Sequence, residues 1–132
     1  MLEQVDGPQS RHLQVLPIQR VALPSVEAAL DHIFDLGMEG APEEVCGLIV
    51  NETAGCMVVP MINRAEDPTA SYRIDGQTLR QLALKPKTWE HVAVYHTHPG
   101  GDVGPSALDL EHKLDVVKYV VVTIPTGEKV WF

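Results

Sequence analysis

The run His96-Thr97-His98-Pro99, followed after Gly100 to Pro105 by Ser106-Ala107-Leu108-Asp109, constrains this chain more than any other stretch. Ahead of it, His91 to His98 alternates like a β-strand: Val92, Val94, His96 and His98 share one face, while Ala93, Tyr95 and Thr97 share the other. Two imidazoles two residues apart on one strand face can address one ion. The connection that follows contains Gly100, Gly101 and Gly104, which tolerate the backbone angles of a sharp reversal. Asp109 then falls three residues after Ser106, in the first turn of a helix that starts near Ser106. A fold that obeys this pattern brings two neutral nitrogens and one carboxylate oxygen to a single point. A zinc ion takes such ligands at about 2.0–2.1 Å and, with three of them from protein, keeps a fourth position for water. Ser-Ala-Leu-Asp also matches a helix capping box, in which Ser106 caps and Asp109 braces it. The two readings are compatible, because capping fixes where Asp109 points.

A metal-activated water needs a proton acceptor. Glu43 and Glu44 stand directly before the apolar run Val45 to Val50, at the mouth of what reads as a buried strand. Spacing alone leaves open which of the two points inward.

The rest of the chain reads as mixed α and β. Arg20 to Leu23 is a short strand. Ser25 caps a helix whose apolar face is Val26, Ala29, Leu30, Ile33 and Phe34, with Gly37 as its stop. Val45 to Val50 and the segment from Met57 form a hairpin across the turn Asn51 to Gly55. Asn63 to Thr69 is a loop, Ser71 to Ile74 a brief strand, and Leu79, Leu82 and Ala83 mark a helix ending before Pro86. The helix from Ser106 carries Leu108, Leu110, Leu114 and Val117. Tyr119 to Ile124 is a β-branched strand, Pro125 to Glu128 a turn, and Lys129 to Phe132 a last strand.

Composition sets the outer limits. A chain of 132 residues, 45% hydrophobic, suits one domain with its own core. A net charge of −8 argues against gripping nucleic acid, which needs clustered cations. No apolar stretch reaches the ~18 residues of a membrane span. Met1 to Gly7 carries Glu3 and Asp6 and lacks the layout of a secretion signal, so a cytoplasmic setting is expected. Cys46 and Cys56 read as reduced thiols, Cys46 in a strand core and Cys56 at a turn. A zinc deaminase would want His-x-Glu with Pro-Cys-x-x-Cys, and neither occurs.

Taken together, Glu44-Val45-Cys46-Gly47-Leu48, His96-Thr97-His98-Pro99 and Ser106-Ala107-Leu108-Asp109 resemble the signature of the JAMM (MPN+) metalloproteases, in which a Glu lies two before the Cys of a Cys-Gly strand. The resemblance spans roughly Arg20 to Phe132 and implies a domain over 20–132 behind an N-terminal extension, 1–19. It implies an α/β (α+β) fold of the cytidine-deaminase-like MPN type, a mixed central sheet flanked by helices. It also implies one Zn²⁺ per chain on His96, His98 and Asp109, with Glu44 as acid/base and Ser106 as oxyanion donor. The implied substrate is a protein, cut at a peptide or isopeptide bond, often after the C-terminal glycine of a ubiquitin-like or sulfur-carrier protein. Nothing between Cys56 and His91 looks like the added segments with which eukaryotic relatives hold ubiquitin chains. Asn63 to Pro68 and Tyr72 to Asp75 resemble the prokaryotic and phage branch. In lambda-type tail-assembly proteins such a domain precedes a cell-wall peptidase, which is not expected here because the sequence stops at Phe132. A role in virion assembly with little or no proteolysis is the alternative. Asp102, in the reversing loop, is a further candidate for tuning the ion or touching substrate.

Overall fold

The computed structural model describes residues 21–52, 55–78, 80, 92–115 and 117–132. The N-terminal extension, Arg20, and Leu79, Leu82 and Ala83 of the helix expected before Pro86 therefore lie outside the described residues. Strand β1 (Val21–Leu23) leads into helix α1 (Val26–Gly40), then strands β2 (Cys46–Glu52), β3 (Gly55–Met61) and β4 (Val92–His98). A short helix α2 (Ala107–His112) precedes β5 (Lys118–Thr123) and β6 (Lys129–Trp131). The strands form a six-stranded sheet in the order β1-β3-β2-β4-β5-β6. Only β4 and β5 pair in parallel among these neighbours. A parallel pair needs a crossover, and the loop with α2 supplies it.

Alternation along the strands splits the core in two. On one face Ile49, Val58, Tyr95, Val120 and Val122 pack under Ala29, Leu30 and Ile33 of α1. On the other face Cys46, Leu48, Val59, Met61, Val94 and Tyr119 pack with Ile74 and Val117. His96 and His98 belong to the second face, away from α1. The helix starts as its sequence dictates: Ser25 is the N-cap and its hydroxyl accepts from Ala28 N at 3.1 Å.

Four expectations change. Gly37 does not end α1, which runs on to Gly40. It is buried because α1 crosses the sheet there: a Cβ on it would lie 2.8 Å from Ile124 Cδ1 and 2.9 Å from Thr97 Cγ2. Ser71 to Ile74 is not a strand. Its backbone is instead tied to Asn63, whose amide donates to Ser71 O (3.0 Å) and whose Oδ1 accepts from Arg73 N (3.1 Å). Helix α2 is only six residues long, with Leu108 and Leu110 exposed and Leu114 and Val117 beyond its end. Cys56 sits within β3 rather than at a turn, buried, with its thiol against Asn51 Oδ1 at 3.3 Å. Both cysteines are free.

Candidate metal centre

The register of β2 against β4 builds the site. Cys46 lies opposite His96 in this antiparallel pair, so continuing the ladder sets Val45 opposite Thr97 and Glu44 opposite His98. Thr97 locks the extension: its N–H donates to Val45 O at 3.0 Å, and its hydroxyl accepts from Val45 N at 3.0 Å. Glu44 is also held by its backbone, N–H to Pro68 O at 2.8 Å and carbonyl to the Asn63 amide at 2.9 Å. Opposed residues of an antiparallel pair share a face, so Glu44, not Glu43, turns toward the imidazoles. Glu44 is buried, at 7% exposure, and Glu43 is exposed.

After His98 the loop reverses through Gly101 and Gly104, both at positive φ (89° and 83°). It delivers Ser106 as the N-cap of α2 with a full capping box: Ser106 Oγ accepts from Asp109 N (3.0 Å) and Asp109 Oδ2 accepts from Ser106 N (2.9 Å). That same Oδ2 lies 3.0 Å from His96 Nε2 and 3.1 Å from His98 Nε2, and the two Nε2 atoms are 3.2 Å apart. Ligands at about 2.0–2.1 Å from a tetrahedral ion stand about 3.3–3.4 Å from one another. The triangle of Nε2, Nε2 and Oδ2 is close to one face of that tetrahedron, so these residues fit a zinc-sized ion. Ligand atoms of Glu44, His96 and His98 also lie within 4.8 Å of one another, a buried group able to hold a metal.

The electrostatics carry the same imprint. Burial pushes Glu44 up to about 7, opposed by His98 and reinforced by Asp109. Its Oε1 is buried with no hydrogen-bond partner. Burial pushes His96 below the usual imidazole value against the pull of Asp109, favouring the neutral ring that binds metal. His98 is raised, first by its hydrogen bond to Asp109, against burial. For Asp109 burial acts upward, but the hydrogen bonds from His96 and His98 win and hold the carboxyl well below the ordinary range. Cys46 is pushed up to about 12, by burial and then by Glu44, so its thiol stays protonated.

Several contacts here carry no sequence signature. The Tyr72 ring stacks on His96 with centroids 4.2 Å apart and planes 20° apart, and Phe132 meets the same imidazole edge-on at 6.3 Å. Asp102 contributes its carbonyl, which lies 3.3 Å from His98 Nδ1, while its side chain is exposed. Thr97 stands inside the motif, but its role depends on a partner 52 positions away.

Two clefts border the centre. One, about 590 Å³, is lined by Tyr72, Ile74, Leu108, Asp109 and Tyr119, among others. The other, about 350 Å³, is lined by Glu44, His98, Ser106 and the reversing loop. The arrangement thus offers a pocketed ion site with a buried carboxyl beside it and open space on two sides.

Known proteins are similar to this chain. The model of the prokaryotic homologs of the JAB domain matches residues 26–132. A desampylase of Haloferax volcanii is 33% identical over 92 residues, 63% of this chain and 66% of that protein. The chain thus spans just under two thirds of that relative's length. With the family match running through β2, β4, the reversing loop and α2, this chain belongs to the prokaryotic JAB-domain family.

Proposed function

We propose that this chain is a zinc-dependent peptidase or isopeptidase acting on a protein substrate, cutting after the C-terminal glycine of a ubiquitin-like or sulfur-carrier protein. The observation that carries this function is the convergence of His96 Nε2, His98 Nε2 and Asp109 Oδ2 within 3.0–3.2 Å, with the buried Glu44 carboxyl, its Oε1 unpartnered, beside them. The similarity to a desampylase supports the same direction. The unit that goes with it is 20–132, with 1–19 as an extension, in a cytoplasmic protein. Among the described residues no helix is long and apolar enough to cross a membrane.

His96, His98 and Asp109 would hold one Zn²⁺. When bound, the ion supplies Lewis acidity, bringing water to a pKa near 7 and polarising the carbonyl under attack. Glu44 takes the proton of the attacking water on its carboxyl and returns it to the leaving amine. A buried carboxyl with its Oε1 unpaired beside the three ligand atoms is placed for both transfers. Ser106 keeps its hydroxyl proton free, since its oxygen accepts from Asp109 N, and donates it to the developing oxyanion. Such a donor lowers the barrier by about 2.7–4 kcal/mol.

The test is incubation of the zinc-loaded chain with a panel of ubiquitin-like and sulfur-carrier fusions, the cut read by mass spectrometry. Cleavage after the terminal glycine is expected. Glu44→Gln should keep stoichiometric zinc and lose turnover by about 10²–10⁴. Full activity in that variant contradicts the mechanism. Stoichiometric zinc with no cut in any fusion would favour the alternative, a phage tail-assembly role with little or no proteolysis.

A further inference from the structure

Thr123 closes β5 directly opposite His98 in the parallel register and is fully buried. Its backbone is committed elsewhere, with N–H donating to Glu128 O at 2.8 Å and C=O accepting from Gly127 N at 2.8 Å. Its hydroxyl is turned across the strand end to donate to Asp102 O at 2.9 Å. That carbonyl is the same one that stands 3.3 Å from His98 Nδ1. A carbonyl oxygen has two lone pairs and donates nothing. It can therefore take one bond from the Thr123 hydroxyl and one from His98, and the second exists only when the proton is on Nδ1. The His98 Nε2 lone pair is then the one directed at the ion site, 3.1 Å from Asp109 Oδ2 and 3.2 Å from His96 Nε2.

We propose that Thr123 is a positioning residue of the metal centre: it fixes the Asp102 carbonyl in the reversing loop, and that carbonyl orients His98 and selects the ring form that ligates. This rests on the metal-centre reading above and extends it to a residue outside the motif. Asp102 and Val103 lie between the two positive-φ glycines and are exposed, so little else in the loop holds this carbonyl in place. The carbonyl cannot be deleted by changing a side chain, which makes the Thr123 hydroxyl the handle on it. Outer-shell partners of metal-bound histidine are typically worth 10–100-fold in metal affinity. Thr123 acts one bond further out, so the low end of that range applies.

The measurement is zinc affinity by competition against a chromophoric chelator, on the whole chain. Thr123→Val keeps the shape and removes the hydroxyl. It is expected to weaken zinc binding roughly tenfold, while Thr123→Ser stays within about twofold of the parent. Val120→Ala, on the same strand but facing α1, lowers stability and should leave zinc affinity unchanged. A spectroscopic signature separates positioning from mere stability. The His98 Nδ1–H resonance of the zinc-loaded protein should exchange slowly in the parent and in Thr123→Ser, and quickly in Thr123→Val or Thr123→Ala. A folded Thr123→Val or Thr123→Ala with parental zinc affinity overturns the proposal. So does rapid exchange of that proton in the parent, a result that needs no variant. A parent chain that takes up no zinc overturns the metal-centre reading together with this one. Intact zinc binding with an indifferent Thr123 overturns this one alone.

Discussion

Burying the Glu44 carboxyl beside Asp109 makes its charged form costly in the metal-free fold, and fold stability must respond to pH through it. The folded value, about 7, is above the ordinary 4.5, so between those limits the folded protein holds a proton that the unfolded chain has released. Stability from this source is fully present below pH 4.5 and is lost as pH rises to about 7. In urea titrations of zinc-free protein, the parent should therefore lose ground against Glu44→Gln across that window and run parallel to it above. A difference that is flat with pH would mean that Glu44 is not desolvated. At this scale the sequence is most informative, because His96, His98 and Asp109 are tied by local rules: strand alternation, a reversing glycine loop and a capping box. The choice of Glu44 over Glu43 is not local. Periodicity alone leaves it open and only the family signature selects Glu44; the physical reason is the register of β2 on β4. Tyr72 and Asn63 stand in stretches that carried the family resemblance, but their contacts with His96 and Glu44 were not legible, since they are made by a segment without regular structure.

The elements meet where α1 crosses the sheet, and Gly37 sits at that crossing. Helix propensity alone favours alanine there by about 1 kcal/mol. The space does not: its Cβ would press on Ile124 and on the methyl group of Thr97, the residue that holds Val45 beside Glu44. Overpacking of this kind costs about 1–3 kcal/mol. Gly37→Ala is thus expected to destabilise by up to about 2 kcal/mol net in chemical denaturation. A gain of stability would show that the crossing has slack. Glycine near a helix end reads equally well as a stop or as a close approach, and only the neighbouring sheet decides between them. The short α2 teaches a related lesson. Its leucines suggest a packed helix, yet it buries none of its own residues and its first turn is committed to the capping box. A six-residue helix with no buried face has little stability of its own.

Across the whole molecule, the ion site joins parts that the core does not. The start of β2, the end of β4, the reversing loop and α2 converge on Glu44, His96, His98 and Asp109, and α2 buries none of its own residues in the core. Zinc should therefore act as a staple between the sheet and α2. At free zinc a thousandfold above its dissociation constant, linkage contributes about 4 kcal/mol. Chelation should lower the melting temperature and speed hydrogen exchange in residues 99–112 more than in β2, β4 and β5. An unchanged melting profile in chelator would contradict the staple. The mixed sheet with helices was legible from periodicity and family signature together, since the apolar strands Val45 to Val50 and Tyr119 to Ile124 admit few other placements. The two clefts were not legible, because they form between segments distant in sequence, such as Tyr72 with Leu108 and Thr69 with Pro105.

The most direct test is an anomalous-scattering map at the zinc edge from crystals of the zinc-loaded chain. The account predicts one peak per chain at about 2.0–2.2 Å from His96 Nε2, His98 Nε2 and Asp109 Oδ2. A peak held by other residues, or none between these three, would contradict it.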